Sequence, residues 1–456
     1  MTQRISSFVK EKTQVNRKNT RHTLVASAVL AALVVPTAVG FSAQAETPSD
    51  EYFKVKAINE ETNSITGIAG AEAPAKGPTA EEIAAEEAAK AAAEAKAKEE
   101  AEAKAAAEAK AAEEAAKAAE EAKEAAAWTG NAVTGIPAFR SFSVNSKGVF
   151  GTVIDQYGYT SADGITWGNK LYAGNLRADQ MASGPKGMFA AESSGASKAV
   201  IRLADTLNGG AWNIYSSVNA SHVAATSAGF VAINRQSGDF SSTVYWTQPV
   251  YDKNNPYGPP FVLNQLTTAS VMFPEGAVKS MVGSPTKDLV VMAVEGKKFS
   301  NTTDEQVYNG IQVYEKKNGS TVPTRTRVLD GSWSAVTQDS GTFTALSTDG
   351  KKMATSSDGY TWAVKDTNLN ASYGELAVGG GYYVAIQKEG DSGSTVAISK
   401  DGVNWKERKL ATKSPAAKFS DALYSNGKFQ ALAYDAGTGN RVASSEVWVF
   451  DPAKLS

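Results

Sequence analysis

Ser392 and His222 are the residues through which this chain could attack a substrate. Ser392 stands in Gly390-Asp391-Ser392-Gly393, a glycine-flanked hydroxyl. A serine is a weak nucleophile until a base takes its proton. The chain holds two histidines in 456 residues, and His22 lies in a basic N-terminal segment, so His222 is the imidazole left for that task. It sits in Ala220-Ser221-His222-Val223-Ala224, with nothing that ties it to Ser392. The Ser392 segment reads instead as a hairpin tip between strands Tyr382–Gln387 and Ser394–Ser399. Cysteine is absent, which excludes thiolate metal sites, cysteine nucleophiles and disulfides. Asp155, Asp163, Asp349 and Asp358 fall near turn residues, where aspartate oxygens serve backbone N–H groups, and no loop has EF-hand spacing. The expectation is a protein without catalytic residues, metal or cofactor. Lysine plus arginine (46) balances aspartate plus glutamate (48), which argues against a nucleic-acid partner.

The elements that would position any site begin with an address. Residues 1–45 carry a basic start (Arg4, Lys10, Lys12, Arg17, Lys18, Arg21), an apolar run from Leu24 to Phe41 and an Ala43-Gln44-Ala45 exit. These are the three parts of a secretory signal peptide, with cleavage expected after Ala45. An uncleaved membrane anchor is the competing reading. Pro36 and the small residues Ala43 and Ala45 weigh against it. No other segment is apolar enough to span, so the mature chain is expected outside the cytoplasm without a transmembrane span.

Residues 46–78 read as a linker, with a short strand-like stretch at Tyr52-Phe53-Lys54-Val55 and breakers from Gly70 to Pro78. Composition then changes abruptly. Residues 79–127 are almost wholly alanine, glutamate and lysine, the residues that lose least on entering a helix. Thr79 and Glu82 make a capping box behind Pro78. Glu86–Lys90, Glu94–Lys98, Glu100–Lys104 and Glu113–Lys117 are i,i+4 pairs in the favourable order. A rise of 1.5 Å per residue makes the segment roughly 70 Å long. Ile83 is its one large apolar residue, so a leucine-type coiled-coil seam is missing. A long single helix is the better reading, and weak pairing through alanine stripes the other. The segment resembles the alanine-, glutamate- and lysine-rich periplasmic spacer of the Tol system. That resemblance is one of composition and implies a role in setting distance.

From 128 to 456 glycine, serine, threonine, valine and aromatics take over in short strands cut by turns, an all-β signature. Three segments match closely: Ser161-Ala-Asp163-Gly164-Ile-Thr166-Trp167, Ser356-Ser-Asp358-Gly359-Tyr-Thr361-Trp362 and Ser399-Lys-Asp401-Gly402-Val-Asn404-Trp405. Upstream of each is a turn followed by an apolar strand, as in Lys147-Gly148, Ser340-Gly341 and Gly380-Gly381. The same element recurs at Gly187, Gly229 and Gly427 and weakly at Asp288. Trp167, Trp212, Trp246, Tyr314, Trp362, Trp405 and Trp448 are expected to close the seven copies. Insertions are expected around 250–275 and 296–332. A unit of 40 to 50 residues repeated seven times predicts a seven-bladed propeller, an all-β fold behind the helix and signal peptide.

The three matching segments resemble the Asp-box, or BNR repeat, of sialidases, sortilin-like receptors and many secreted propellers. They lack the residue usually found between the aspartate and the glycine. The resemblance implies that Ser161, Asp163, Gly164, Trp167, Ser356, Asp358, Gly359, Trp362, Ser399, Asp401, Gly402 and Trp405 are structural, between the last two strands of a blade and away from the ligand face. Sialidase activity would need an arginine triad and a Tyr/Phe-Arg-Ile-Pro signature, for which Phe139-Arg140-Ser141 and Ile201-Arg202-Leu203 are poor stand-ins. The Ser392 loop likewise copies that of chymotrypsin-like proteases without their histidine motif. Binding is expected from the aromatic insertion, through Trp246, Tyr251, Tyr257 and Phe261, because exposed aromatics on loops are common anchors. The expected partner is another envelope or extracellular protein or a glycan, and the expected function a bacterial binding or scaffold module. A sialidase-like glycoside hydrolase with eroded motifs and a purely structural envelope component are the alternatives.

Overall fold

The structure is a computed structural model. It describes residues 77–154, 157–172, 178, 180–185, 187–191, 200–203, 213–215, 220, 222–233, 244–249, 261–266, 278–295, 309–317, 324–387, 394–438 and 442–455. The signal segment, most of the linker, Trp212, Tyr251, Tyr257 and Ser392 lie outside them. The chain falls into two compact units, 1–93 and 94–456. The first is described from residue 77 only.

One helix, Ala80–Ala127, runs for 48 residues. Its start is closed reciprocally: the Thr79 N–H donates to Glu82 Oε2 at 2.8 Å, and the Glu82 N–H to Thr79 Oγ1 at 3.4 Å. Ion pairs along it include Lys98–Glu102 and Lys104–Glu108, each 3.9 Å, with lysine leading rather than glutamate. Both pairs are exposed, where solvent leaves little energy to choose between the two orders.

Among the described residues the remainder forms seven four-stranded antiparallel sheets, arranged like the blades of a propeller. Their first strands are Ser143–Val144, Gln180–Gly184, His222–Ala225, Val278–Gly283, Trp333–Asp339, Glu375–Gly379 and Lys418–Ser425. Each touches the next in chain order, and the seventh touches the first, which closes a ring. Each sheet is packed between two others, so its second strand is covered on both faces. Phe150–Ile154, Gly187–Ala191, Phe230–Ile233 and Leu289–Val294 are buried at every position. Apolar cores accordingly lie between neighbouring sheets: Val231 and Trp246 of sheet 3 pack with Val290 and Tyr314 of sheet 4, and Phe419 of sheet 7 with Ile386 of sheet 6.

The hairpins joining first and second strands explain the repeated glycines. Ser340-Gly341, Gly380-Gly381 and Asn426-Gly427 all have φ between 49° and 88°. Two successive positive φ angles define the two-residue turn that matches strand twist, and glycine or asparagine adopts them at least cost.

Sheet 7 is completed from the other end of the chain. Its fourth strand is Trp128–Ala132, paired with Ser444–Phe450 in the register Trp128↔Phe450 to Ala132↔Glu446. The ring is thus closed by the residues that leave the helix, which no pattern in the sequence announces.

Two expectations need correction. The closing aromatics do not share one position. Trp167 and Trp405 open fourth strands and Trp362 precedes one, whereas Trp246, Tyr314 and Trp448 lie inside third strands. The third strands of sheets 3 and 4, Val244–Pro249 and Gly310–Glu315, lie about as far beyond their hairpins as the closing tryptophans of the other repeats do. The stretches expected as insertions also contain regular strands, Phe261–Leu266 in sheet 3 and Gly310–Glu315 and Thr324–Asp330 in sheet 4.

Candidate functional site

The three Ser-x-Asp-Gly segments fold into one network. Each links the third strand of its sheet to the fourth. Ser161 Oγ accepts the Gly164 N–H at 2.9 Å, and Asp163 Oδ1 accepts those of Ile165 and Thr166, both at 2.8 Å. The Trp167 indole N–H then donates to the Gly164 carbonyl at 3.0 Å. Ser356, Asp358 and Trp362 repeat these bonds, as do Ser399, Asp401 and Trp405. Backbone N–H groups of Thr361 and Tyr360 hold the Asp358 carboxyl down at about 2. The N–H of Asn404, with its side-chain amide and the Val403 N–H, holds Asp401 well below the usual carboxylate range. For Asp163, burial pushes upward, but the N–H groups of Thr166 and Ile165 and the Ser161 hydroxyl outweigh it. A carboxylate that must accept from its own turn is held as an acceptor, the opposite of what a proton donor needs.

The turns also join sheets. Gln430 of sheet 7 donates its amide to the Asp163 carbonyl at 2.8 Å. A Cβ on Gly402 would run into Met353 of sheet 5, and one on Gly164 into Gln430. Both glycines have φ above 70°, so the turn geometry and the neighbouring sheet each demand glycine.

The aromatic cluster expected to bind is divided by the structure. Trp246 is corrected from surface anchor to core: it lies in the strand Val244–Pro249 and is 2% exposed. Its neighbours supply the reason. The indole N–H donates to Asp288 Oδ2 at 2.9 Å, while Thr226 Oγ1 donates to Asp288 Oδ1 at 2.9 Å. Phe261 opens the fourth strand of the same sheet.

Asp288, met in the sequence only as a weak turn, is therefore a half-buried carboxylate between sheets 3 and 4. Burial raises its pKa against the pull of the Trp246 N–H and the Thr226 hydroxyl. A raised native pKa means that the folded chain holds the proton more tightly, so this group costs stability as pH rises past the unfolded carboxylate range. Asp288→Ala orphans the buried indole N–H and is expected to cost about 1–3 kcal/mol. Asp288→Asn keeps an acceptor and sheds the buried charge. Its stability relative to the parent, from urea unfolding, should improve between pH 4 and pH 7; a constant difference would show that the charge is not felt.

The first strands enclose a channel with a cavity of about 360 Å³. Towards their N-terminal ends lies a polar recess of about 70 Å³ whose lining includes Gln180, Lys279, Glu375 and Asp421. Asp421 Oδ2 accepts the Ser141 hydroxyl at 2.7 Å and the Phe142 N–H at 3.1 Å, which ties sheet 7 to sheet 1. Lys279 pairs with Glu295 at 3.0 Å. Towards the other mouth the Tyr424 ring packs against Gly379 and Gly380, and Asp339 and Ser340 also line the cavity. A channel lined by strand edges, small side chains and these charges can hold a polar ligand. His222 opens the first strand of sheet 3, paired with Ile233. Among the described residues, no three His, Cys, Asp or Glu side chains gather to hold a metal ion. No described helix is long and apolar enough to cross a membrane. The channel residues come from seven distant segments, so only the strand register could have pointed to them.

No family model matches this chain, and no curated protein does. Among solved structures it is similar to streptogramin B lyase, at 9% identity over 70% of this chain and 97% of that one, with a TM-score of 0.42. It is similar to virginiamycin B lyase from Staphylococcus aureus, at 8% identity over 71% and 98% of the two chains, TM-score 0.42. A third is YCF48 bound to a D1 peptide, at 12% identity over 71% and 96%, TM-score 0.43. These likenesses concern the fold.

Proposed function

We propose that this chain is an extracytoplasmic bacterial binding or scaffold protein. In this reading a seven-bladed propeller of the Asp-box kind, carried on a helical spacer behind a cleaved signal, offers one face to another envelope or extracellular protein or to a glycan. The observation that carries the reading is the join of helix and ring. Ala127 ends the helix, and Trp128 begins the strand that closes sheet 7, with no residue between them. The Ala127 carbonyl accepts the Asp451 N–H at 3.0 Å. A helix fused to the closing strand is a stiff spacer, unlike a glycine- or serine-rich tether. Such a spacer suits a protein that must hold a face at a set distance.

The test expresses the full chain in a bacterial host. N-terminal sequencing should find it outside the cytoplasm and beginning at Glu46. Photo-cross-linking residues at Gln180 and Glu375 sample one channel mouth, and others at Thr166 and Asn404 sample the Ser-x-Asp-Gly turns. One pair should give an adduct and the other none. Halving the helix should reduce that adduct, whereas reordering its charges between Glu81 and Lys117 should not. An intact N-terminus in the cytoplasm, or hydrolysis of a sialoside or other glycoside by the purified protein, would overturn the reading.

A further inference from the structure

We propose that Lys406, Arg408 and Lys454 form an ionic clasp on the last two turns of the helix, and that this clasp sets the direction in which the helix leaves the ring. The inference concerns the joint alone and holds whatever the ring binds. The helix is badly charged for its own C-terminus. It ends Glu120-Glu121-Ala-Lys123-Glu124-Ala-Ala-Ala127, with no basic residue in its last turn. Unpaired carbonyls make that end negative, so acidic side chains there are unfavourable and cations favourable.

The ring supplies the missing cations. Lys406 Nζ stands 2.7 Å from Glu120 Oε1 and 2.8 Å from Glu124 Oε1. Arg408 Nη2 donates to the Glu121 carbonyl at 2.9 Å, and Lys454 Nζ to the Ala126 carbonyl at 3.2 Å. Lys406 and Arg408 are two apart on the outer strand Trp405–Lys409 of sheet 6, so they project from one face. Lys454 comes from the short 3-10 helix Pro452–Leu455, after sheet 7. Cations from sheet 6 and from the 3-10 helix that follows sheet 7 thus grip one helix end.

Attachment and direction have different sources. Ala127 and Trp128 are buried and anchor the chain. Residues 80–123 of the helix are exposed throughout, so apolar packing does not orient it. A recess of about 220 Å³ between Glu120, Lys123, Tyr382, Lys400 and Lys406 lies open beside the clasp. Ions can therefore reach the pairs and screen them. The screening length falls from about 10 Å at 0.1 M salt to about 3 Å at 1 M.

The chain has no cysteine, so two can be introduced cleanly for spin labels, at Ala105→Cys on the helix and Ala363→Cys on sheet 5. In the full chain, pulsed electron spin resonance should give one narrow distance distribution in 0.1 M salt and a clearly broader one in 1 M. Adding Lys406→Gln and Arg408→Gln should broaden it at both salt levels, with the thermal transition of the ring retained. Exchanging the charges, with Lys406→Glu, Glu120→Lys and Glu124→Lys together, should restore the narrow distribution at low salt. If the parent distribution is broad in 0.1 M salt or does not respond to salt, the clasp does not set direction. The clasp is equally refuted if the glutamine pair leaves the distribution unchanged or the exchange fails to restore it.

Discussion

A chain that begins at Val133 should lose at least about 4 kcal/mol of stability against one that begins at Glu120. The shorter chain lacks the strand Trp128–Ala132, and with it the whole outer side of the pairing to Ser444–Phe450. Trp128 is buried and stacks on Phe450, ring centres 5.1 Å apart. Removing a buried tryptophan costs about 3–5 kcal/mol, and each lost strand hydrogen bond adds about 0.5–1.5 kcal/mol. Ser444–Phe450 would become an unprotected edge, so the shorter chain should also aggregate more readily. Urea unfolding of both chains measures the difference. Equal midpoints and slopes would mean that the ring does not need its N-terminal strand. The chain from Glu120 retains the residues that Lys406, Arg408 and Lys454 grip, which makes it a fairer reference than one cut at Trp128.

Trp405→Ala should destabilise the ring by about 3–5 kcal/mol, and Trp362→Ala by less than half of that. The two tryptophans end near-identical segments and make the same indole bond, to Gly402 and to Gly359. Their surroundings differ. Trp405 is 4% exposed, and Asn368 grips both its backbone groups, accepting its N–H at 2.7 Å and donating to its carbonyl at 3.0 Å. Trp362 is only partly buried, and the strand that follows it, Ala363–Asp366, is exposed at every position. Segments that match closely in sequence are thus buried to different depths in space. Urea midpoints of the two variants in the full chain decide it, and equal losses would refute the account from burial.

The turns between first and second strands were legible because a positive φ favours glycine or asparagine at a fixed place. Gly148, Gly187, Gly229, Gly341, Gly381 and Gly427 each lie just before a second strand or at its first residue, and Asp288 does so for sheet 4. The Thr79–Glu82 cap was legible for a similar reason, since both partners lie within one turn. Trp246 was misread. A tryptophan beside prolines and tyrosines looks like an exposed anchor, and only the approach of Asp288, 42 residues away, makes a core position of it. The partners of the acidic helix end left no local mark, because its cations arrive from Lys406, Arg408 and Lys454, about 280 to 330 residues further on.

Interactions that close within a few residues leave a signature in composition and spacing. The helix, the hairpin turns and the Ser-x-Asp-Gly networks are of that kind, and so was the count of repeats, because each repeat must carry its own turn. Ring closure by Trp128–Ala132, the sorting of aromatics into third and fourth strands, the channel and the clasp are of the other kind. Each joins segments that meet only after the sheets have stacked, and their partners are chosen by which faces become neighbours. A local pattern cannot encode that choice, since the same Trp or Lys serves equally well on a surface. Packing around the ring made it.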